Sequence, residues 1–186
     1  SQSTVSIAFS YSPAAPLAFS TAQTTVCQSS SNIIYTIPIV SGATSYQWSY
    51  SGTGATITGT SNSVLVSYNS TATSGTLSVS AVNGCGVGST RNLAITVTPT
   101  PIATFSYTGD PYCQNNTNPL PTFSGGGVAG VFSSTAGLVF VSTATGEVDL
   151  IASTPGTYTV TNTIAAAGGC ATIVATSSIT VYALST

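Results

Sequence analysis

The chain has 186 residues, of which 2% are charged: one lysine or arginine, three acidic residues and no histidine. One cation cannot displace the counterions of a nucleic acid or dock on an anionic bilayer, so neither partner is expected. Without histidine, triad chemistry and His-based acid–base catalysis are excluded. The composition is nevertheless that of a folded protein, because 42% of residues are hydrophobic and disordered chains are poor in such residues. No apolar run reaches the roughly 18 residues of a membrane span, so no membrane insertion is expected. The chain opens on Ser1 rather than methionine, as expected of a processed product or an excised segment.

In chain order, residues 1–20 come first. Val5, Ile7, Phe9 and Tyr11 alternate with small or polar residues, which predicts a strand, and the Pro-rich stretch Ser12–Pro16 follows. Three readings stand. The segment is the first strand of the following domain, or a strand whose Val5, Ile7, Phe9 and Tyr11 pair with a neighbouring copy, or an unstructured arm.

Residues 21–98 read as a β-sandwich. Strands are predicted at Ile33–Val40, with Pro38 demanding an edge or a bulge, then at Ser45–Ser51, Ala55–Thr58, Ser63–Tyr68, Gly75–Asn83 and Leu93–Val97. Leu77, Val79 and Ala81 share one face of their strand. Tyr46, Trp48 and Tyr50 share a face of theirs and suit either a core or a sugar-stacking platform. Residues 99–101, Pro-Thr-Pro, form a stiff hinge. Residues 102–186 repeat the plan, with strands predicted at Ala103–Tyr107, Val128–Ser133, Leu138–Val141, Val148–Ile151, Thr157–Ile164 and Ala171–Val181. The fold class is all-β: two tandem immunoglobulin-like β-sandwich domains.

The four cysteines fall into two pairs of nearly equal spacing. Cys27 and Cys113 are each followed by Gln, while Cys85 and Cys170 are each preceded by Gly. No Cys-x-x-Cys pair suggests zinc. The repeat predicts one disulfide per domain, Cys27–Cys85 and Cys113–Cys170, and an oxidising compartment outside the cytosol. Asp110, Glu147 and Asp149 are the three acidic residues. They are weak calcium candidates; solvated turn positions are the plainer reading. No cofactor is called for.

The stretches Gly42–Trp48, Gly54–Thr58, Asn62–Val66, Ser74–Val79 and Asn83–Gly86 resemble the PKD-like, immunoglobulin-type domains of large surface proteins from Bacteroidetes-type bacteria. Tyr112-Cys113, Phe132–Thr135, Ala144–Leu150 and Ser153–Val160 are similar to repeats of gliding-type adhesins from the same bacteria. The resemblance implies a secreted, cell-surface repeat protein without catalytic residues. Expected partners are copies or neighbouring repeats of the same protein, and surface glycans. The expected function is therefore a non-enzymatic adhesive or filament component that self-assembles by strand addition. The alternative is a pair of carbohydrate-binding modules from a secreted enzyme.

Overall fold

Alternating β-branched and aromatic residues, set between turn residues at short intervals, can bury a face only as strands packed in layers. The computed structural model describes residues 11–184, and every regular element among them is a strand. The described chain divides after Thr100 into two compact units.

The first unit holds β1 (Thr25–Cys27), β2 (Ile33–Thr36), β3 (Ser45–Tyr50), β4 (Ala55–Thr58), β5 (Ser63–Tyr68), β6 (Gly75–Asn83), β7 (Gly86–Val87) and β8 (Arg91–Thr98). One sheet has the order β1-β8-β6-β3, with β7 a hairpin return on β6; the other has the order β2-β5-β4. Strand β1 runs parallel to β8, and the remaining pairs are antiparallel. The alternation in β6 converts directly into packing, with Leu77, Val79 and Ala81 buried. They meet Tyr35, Val64, Val66, Tyr68, Ile37 and Ile95 in the core. Each fully buried aliphatic side chain contributes about 1.5–3 kcal/mol relative to exposure. Strand β2 ends two residues before Pro38 and lies at a sheet edge, where the missing N–H costs nothing.

The second unit holds β9 (Phe105–Ser106), β10 (Tyr112–Cys113), β11 (Thr122–Phe123), β12 (Val131–Ser134), β13 (Val139–Ser142), β14 (Glu147–Asp149), β15 (Gly156–Ile164) and β16 (Ile173–Tyr182). Its main sheet has the order β10-β16-β15-β12, with β10 parallel to β16. The short ladders β9–β11 and β13–β14 supply the rest. Phe105, Tyr107, Phe132, Tyr158, Leu150, Val160 and Ile179 form the core. Asn162, fully buried, lies in the row Tyr158, Val160, Asn162 that faces inward from β15. Its Nδ2 donates to the carbonyls of Ala103 and Val128 at 2.9 Å each, and its Oδ1 accepts the Gly130 N–H at 2.7 Å.

The expected disulfides are corrected. Cys85 and Cys113 are free thiols, and the disulfide-bonded cysteines are Cys27 and Cys170, so neither Cys27–Cys85 nor Cys113–Cys170 forms. The reason is strand length. Cys27 pairs with Thr98 beyond the Gly75 end of β6, whereas Cys85 sits in the turn past Asn83 at the other end. Nine residues of strand plus the flanking turns put the two sites about 30 Å apart at some 3.3 Å per residue. A bridge needs Cα atoms within about 7 Å. The second unit repeats the geometry: Cys113 pairs with Tyr182 at one end of β16, and Cys170 lies by the hairpin tip at the other.

The repeated Cys-Gln pair marks an equivalent turn. The backbone N–H of Gln28 donates to Thr98 and that of Gln114 to Tyr182. Each Gln side chain donates to a carbonyl, Ala72 for Gln28 and Ser153 for Gln114. Ser30 and Asn116 donate back to the carbonyls of Cys27 and Cys113. The sequence repeat is thus a structural repeat of the parallel strand pair, β1–β8 in the first unit and β10–β16 in the second.

Candidate functional site

The acidic residues serve the local backbone. Asp110 Oδ1 accepts the Thr180 N–H, and Asp149 Oδ1 accepts the Ala152 N–H at 3.0 Å. Glu147 lies on β14 opposite Ser142. Among the described residues, no three acidic, cysteine or histidine side chains gather as a metal site would require, so Asp110, Glu147 and Asp149 are not brought together. No helix among the described residues is long and apolar enough to cross a membrane.

The aromatic row of β3 is tied into the first unit at each polar end. Tyr46 is buried, and its hydroxyl accepts the Val40 N–H at 2.9 Å. Tyr50 Oη donates to Thr73 at 2.8 Å, and its ring meets Tyr68 edge-on at 5.7 Å. Trp48 Nε1 donates to Ser61 at 2.9 Å, and its ring sits at 64° to Phe19, centroids 6.0 Å apart. Trp48 is half-buried. It serves both the core and the wall of a groove.

That groove, about 690 Å³, runs along β3. Trp48, Ile57 and Val87 give it apolar walls, and Gln47, Ser49, Thr60, Ser78, Ser80 and Thr90 give it polar ones. None of the lining residues is acidic or basic. Among the described residues, strand β3 pairs with β6 alone and β4 with β5 alone. The parity of their other sides follows from the ladders. Ser51 donates to Thr76 across the β3–β6 register, so Ser45, Gln47 and Ser49 bond toward β6. Tyr46 points away from β6 and donates to Thr60 at 3.0 Å. The amides of Trp48 and Tyr50 have the same parity and face the same side. In β4, Asn69 donates to Gly54, so Ala55 and Ile57 turn their peptide groups away from β5.

In the segment before β1, residues 11–20 pack on the first unit. Pro13 and Pro16 are buried. Asn83 Nδ2 donates to Tyr11 O at 2.9 Å, and Arg91 Nε, from the one cationic side chain in the protein, donates to Pro16 O at 3.0 Å. Gly88 has no side chain because the Pro13 carbonyl oxygen lies 2.3 Å from where a Cβ would stand. Phe19 reaches the core between Tyr35 and Trp48. Tyr11 itself is 75% exposed. Val5, Ile7 and Phe9 lie outside the described residues.

Burial raises the pKa of several tyrosines. Desolvation pushes Tyr68 and Tyr107 far above the ordinary phenol value, and Tyr35 upward too, although its hydrogen bond with Tyr68 at 3.2 Å opposes the rise. Tyr107 Oη donates to Gly146 O at 2.6 Å inside the second core. None of these hydroxyls lines the groove.

Residues 12–95, a little under half of the chain, match the PKD-like domain family. The matched range takes in Pro13, Pro16 and Phe19, the residues docked ahead of β1. No curated protein matches the chain. Among solved structures, human mucin-like protocadherin EC1-2 is similar at 9% identity and a TM-score of 0.39, over 90% of this chain and 98% of that one. A SusE-like surface located polysaccharide binding protein from the Bacteroides thetaiotaomicron heparin utilisation locus is similar at 14% identity and a TM-score of 0.32, over 83% of this chain and 32% of that one. Drosophila N-cadherin EC1-3 is similar at 13% identity and a TM-score of 0.31, over 86% of this chain and 63% of that one. The chain thus spans about a third of the SusE-like protein and under two thirds of the N-cadherin fragment.

Proposed function

We propose that this chain is a secreted, non-enzymatic structural or adhesive component of a cell surface, whose copies join by strand addition through Val5, Ile7, Phe9 and Tyr11. One observation carries the reading: among the described residues, β3 and β4 each pair on one side alone, beside a groove lined by no charged side chain. Soluble sheets blunt such edges with Lys, Pro or bulges, and this chain has one cation, already engaged with Pro16. The disulfide-bonded Cys27 and Cys170 suit an oxidising, extracellular setting. The PKD-like match of residues 12–95 agrees with that setting. Electron microscopy and sedimentation of the purified chain test the reading: concentration-dependent linear assemblies are expected, and a chain that stays monomeric at high concentration contradicts it.

A second reading rests on the groove itself. Its hydroxyl-rich wall beside Trp48 suits a neutral glycan, as in a carbohydrate-binding module pair. Glycan-array binding abolished by Trp48→Ala, in a chain that forms no assemblies, would favour it.

A further inference from the structure

The four cysteines occupy two kinds of position. Cys27 and Cys113 stand on the short strand that runs parallel to the last strand of their module, opposite Thr98 and Tyr182. Cys85 and Cys170 stand in the turns that follow the long strands β6 and β15. Cys27 and Cys170 are disulfide-bonded, while Cys85 and Cys113 are free thiols. The bond this chain makes therefore uses one position of each kind, and the two positions left over are again one of each kind. Resting on the reading that copies of this chain join, we infer that Cys113 of one copy forms a disulfide with Cys85 of a second copy, so that the pairing made within the chain is repeated between chains.

Both thiols can be reached. Cys85 is exposed and Cys113 partly so. The Cys85 turn is uncrowded, since a Cβ at the neighbouring Gly84 would meet nothing within 4 Å. Asn83 Oδ1 accepts the Cys85 N–H at 2.9 Å, and Asn83 Nδ2 donates to Tyr11 O. The proposed joining segment Val5–Tyr11 thus meets its own module at the turn that carries Cys85, and a copy held through that segment brings Cys85 to the junction. A single chain leaves both thiols free, so the partner of each comes from another copy. Each copy offers one position of each kind, which makes the contact head-to-tail and the chain of copies open-ended. The setting that oxidises Cys27 and Cys170 also oxidises an accessible thiol once its partner is in reach.

The chemistry is thiol–disulfide exchange, with a low-molecular-weight disulfide as the oxidant. The Cys113 thiolate attacks one sulfur of that disulfide and expels a thiol. The Cys85 thiolate of the second copy then attacks the mixed disulfide at the Cys113 sulfur and expels the other thiol. One S–S bond forms between copies and one breaks in the oxidant. The two cysteines lose two electrons, and their two protons end on the released thiols.

Oxidised glutathione added to the full chain tests this, read by non-reducing electrophoresis and peptide mapping. A ladder of covalent multimers is expected, collapsing to monomer on reduction. When heavy- and light-isotope chains are mixed, a Cys85–Cys113 peptide carrying both labels is expected. Cys85→Ser alone and Cys113→Ser alone are each expected to lose the ladder; mixed together they are expected to give one covalent dimer and nothing longer. Dimers in either variant alone mean that like pairs with like, and overturn the inference. A Cys85–Cys113 peptide that never mixes labels overturns it too, as do thiols that end only as glutathione adducts. Linear assemblies in which both thiols stay unlinked overturn it while leaving assembly by strand addition standing. If no assemblies form with or without the oxidant, assembly itself fails and this inference with it.

Discussion

The two modules solve the same folding problem with different interiors. Each has a short strand paired parallel to its last strand, followed by a Gln that ties across to a carbonyl. Each hangs its inner face on a nine-residue strand, β6 or β15. In β6 the inward row is Leu77, Val79, Ala81; in β15 it is Tyr158, Val160, Asn162. The first module has a three-stranded second sheet to cover that row. The second has two-stranded ladders and loops, which leave backbone groups needing partners, and the Asn162 amide supplies three of them. Where regular pairing is scarce, a buried side chain stands in for it.

The contrast is open to direct attack. Asn162→Ala should cost the most, about 3–5 kcal/mol, because it orphans the Gly130 N–H and weakens the satisfaction of two carbonyls besides opening space. Denaturant unfolding measures it; a loss under 1 kcal/mol would mean that water replaces the amide freely. Leu77→Ala in the first module should cost about 3 kcal/mol, a plain cavity effect with no polar penalty. Tyr107→Phe should cost about 1–2 kcal/mol, since it removes one buried hydrogen bond and leaves the Gly146 carbonyl unpaired.

Both modules should weaken in strong base. Tyr35, Tyr68 and Tyr107 have folded pKa values raised above the unfolded value near 10. Their contribution is fully present below about pH 10 and is lost as pH climbs beyond it, because only the unfolded chain ionises readily. Thermal melts should be flat from about pH 5 to 9, where no histidine titrates, and fall above about pH 10. Tyr68→Phe should shrink that alkaline fall. The smallest effect is that of salt: assembly and melting should change little between about 0.05 and 0.5 M sodium chloride, there being few charges to screen.

Much of this was legible in the residues. Alternation located β3, β5, β6, β15 and β16, and assigned Leu77, Val79 and Ala81 to one face. Two-residue strands such as β7, β10 and β11 were not legible, because so short a run contains no period. The Cys-Gln repeat is visible in the sequence, but spacing along the chain does not reveal that a nine-residue strand holds the cysteine positions apart. The docking of Pro13 and Pro16 was hidden too, because it depends on Gly88 and Arg91, more than 70 residues later. Of the candidate site, Tyr46, Trp48 and Tyr50 could be placed on one face. The one-sided pairing of β3 and β4 could not, since pairing is a property of the sheet and not of the strand.

The docked stretch also sharpens the decisive experiment. Removing residues 1–20 would strip Pro13, Pro16 and Phe19 from the first module and confound folding with assembly. Removing residues 1–10 alone leaves that packing in place. Sedimentation velocity of the chain lacking residues 1–10, beside the full chain at equal concentration, tests the central claim most directly. A folded monomer is expected for the truncated chain and linear assemblies for the full one. Truncated protein that still assembles with the same repeat would contradict it.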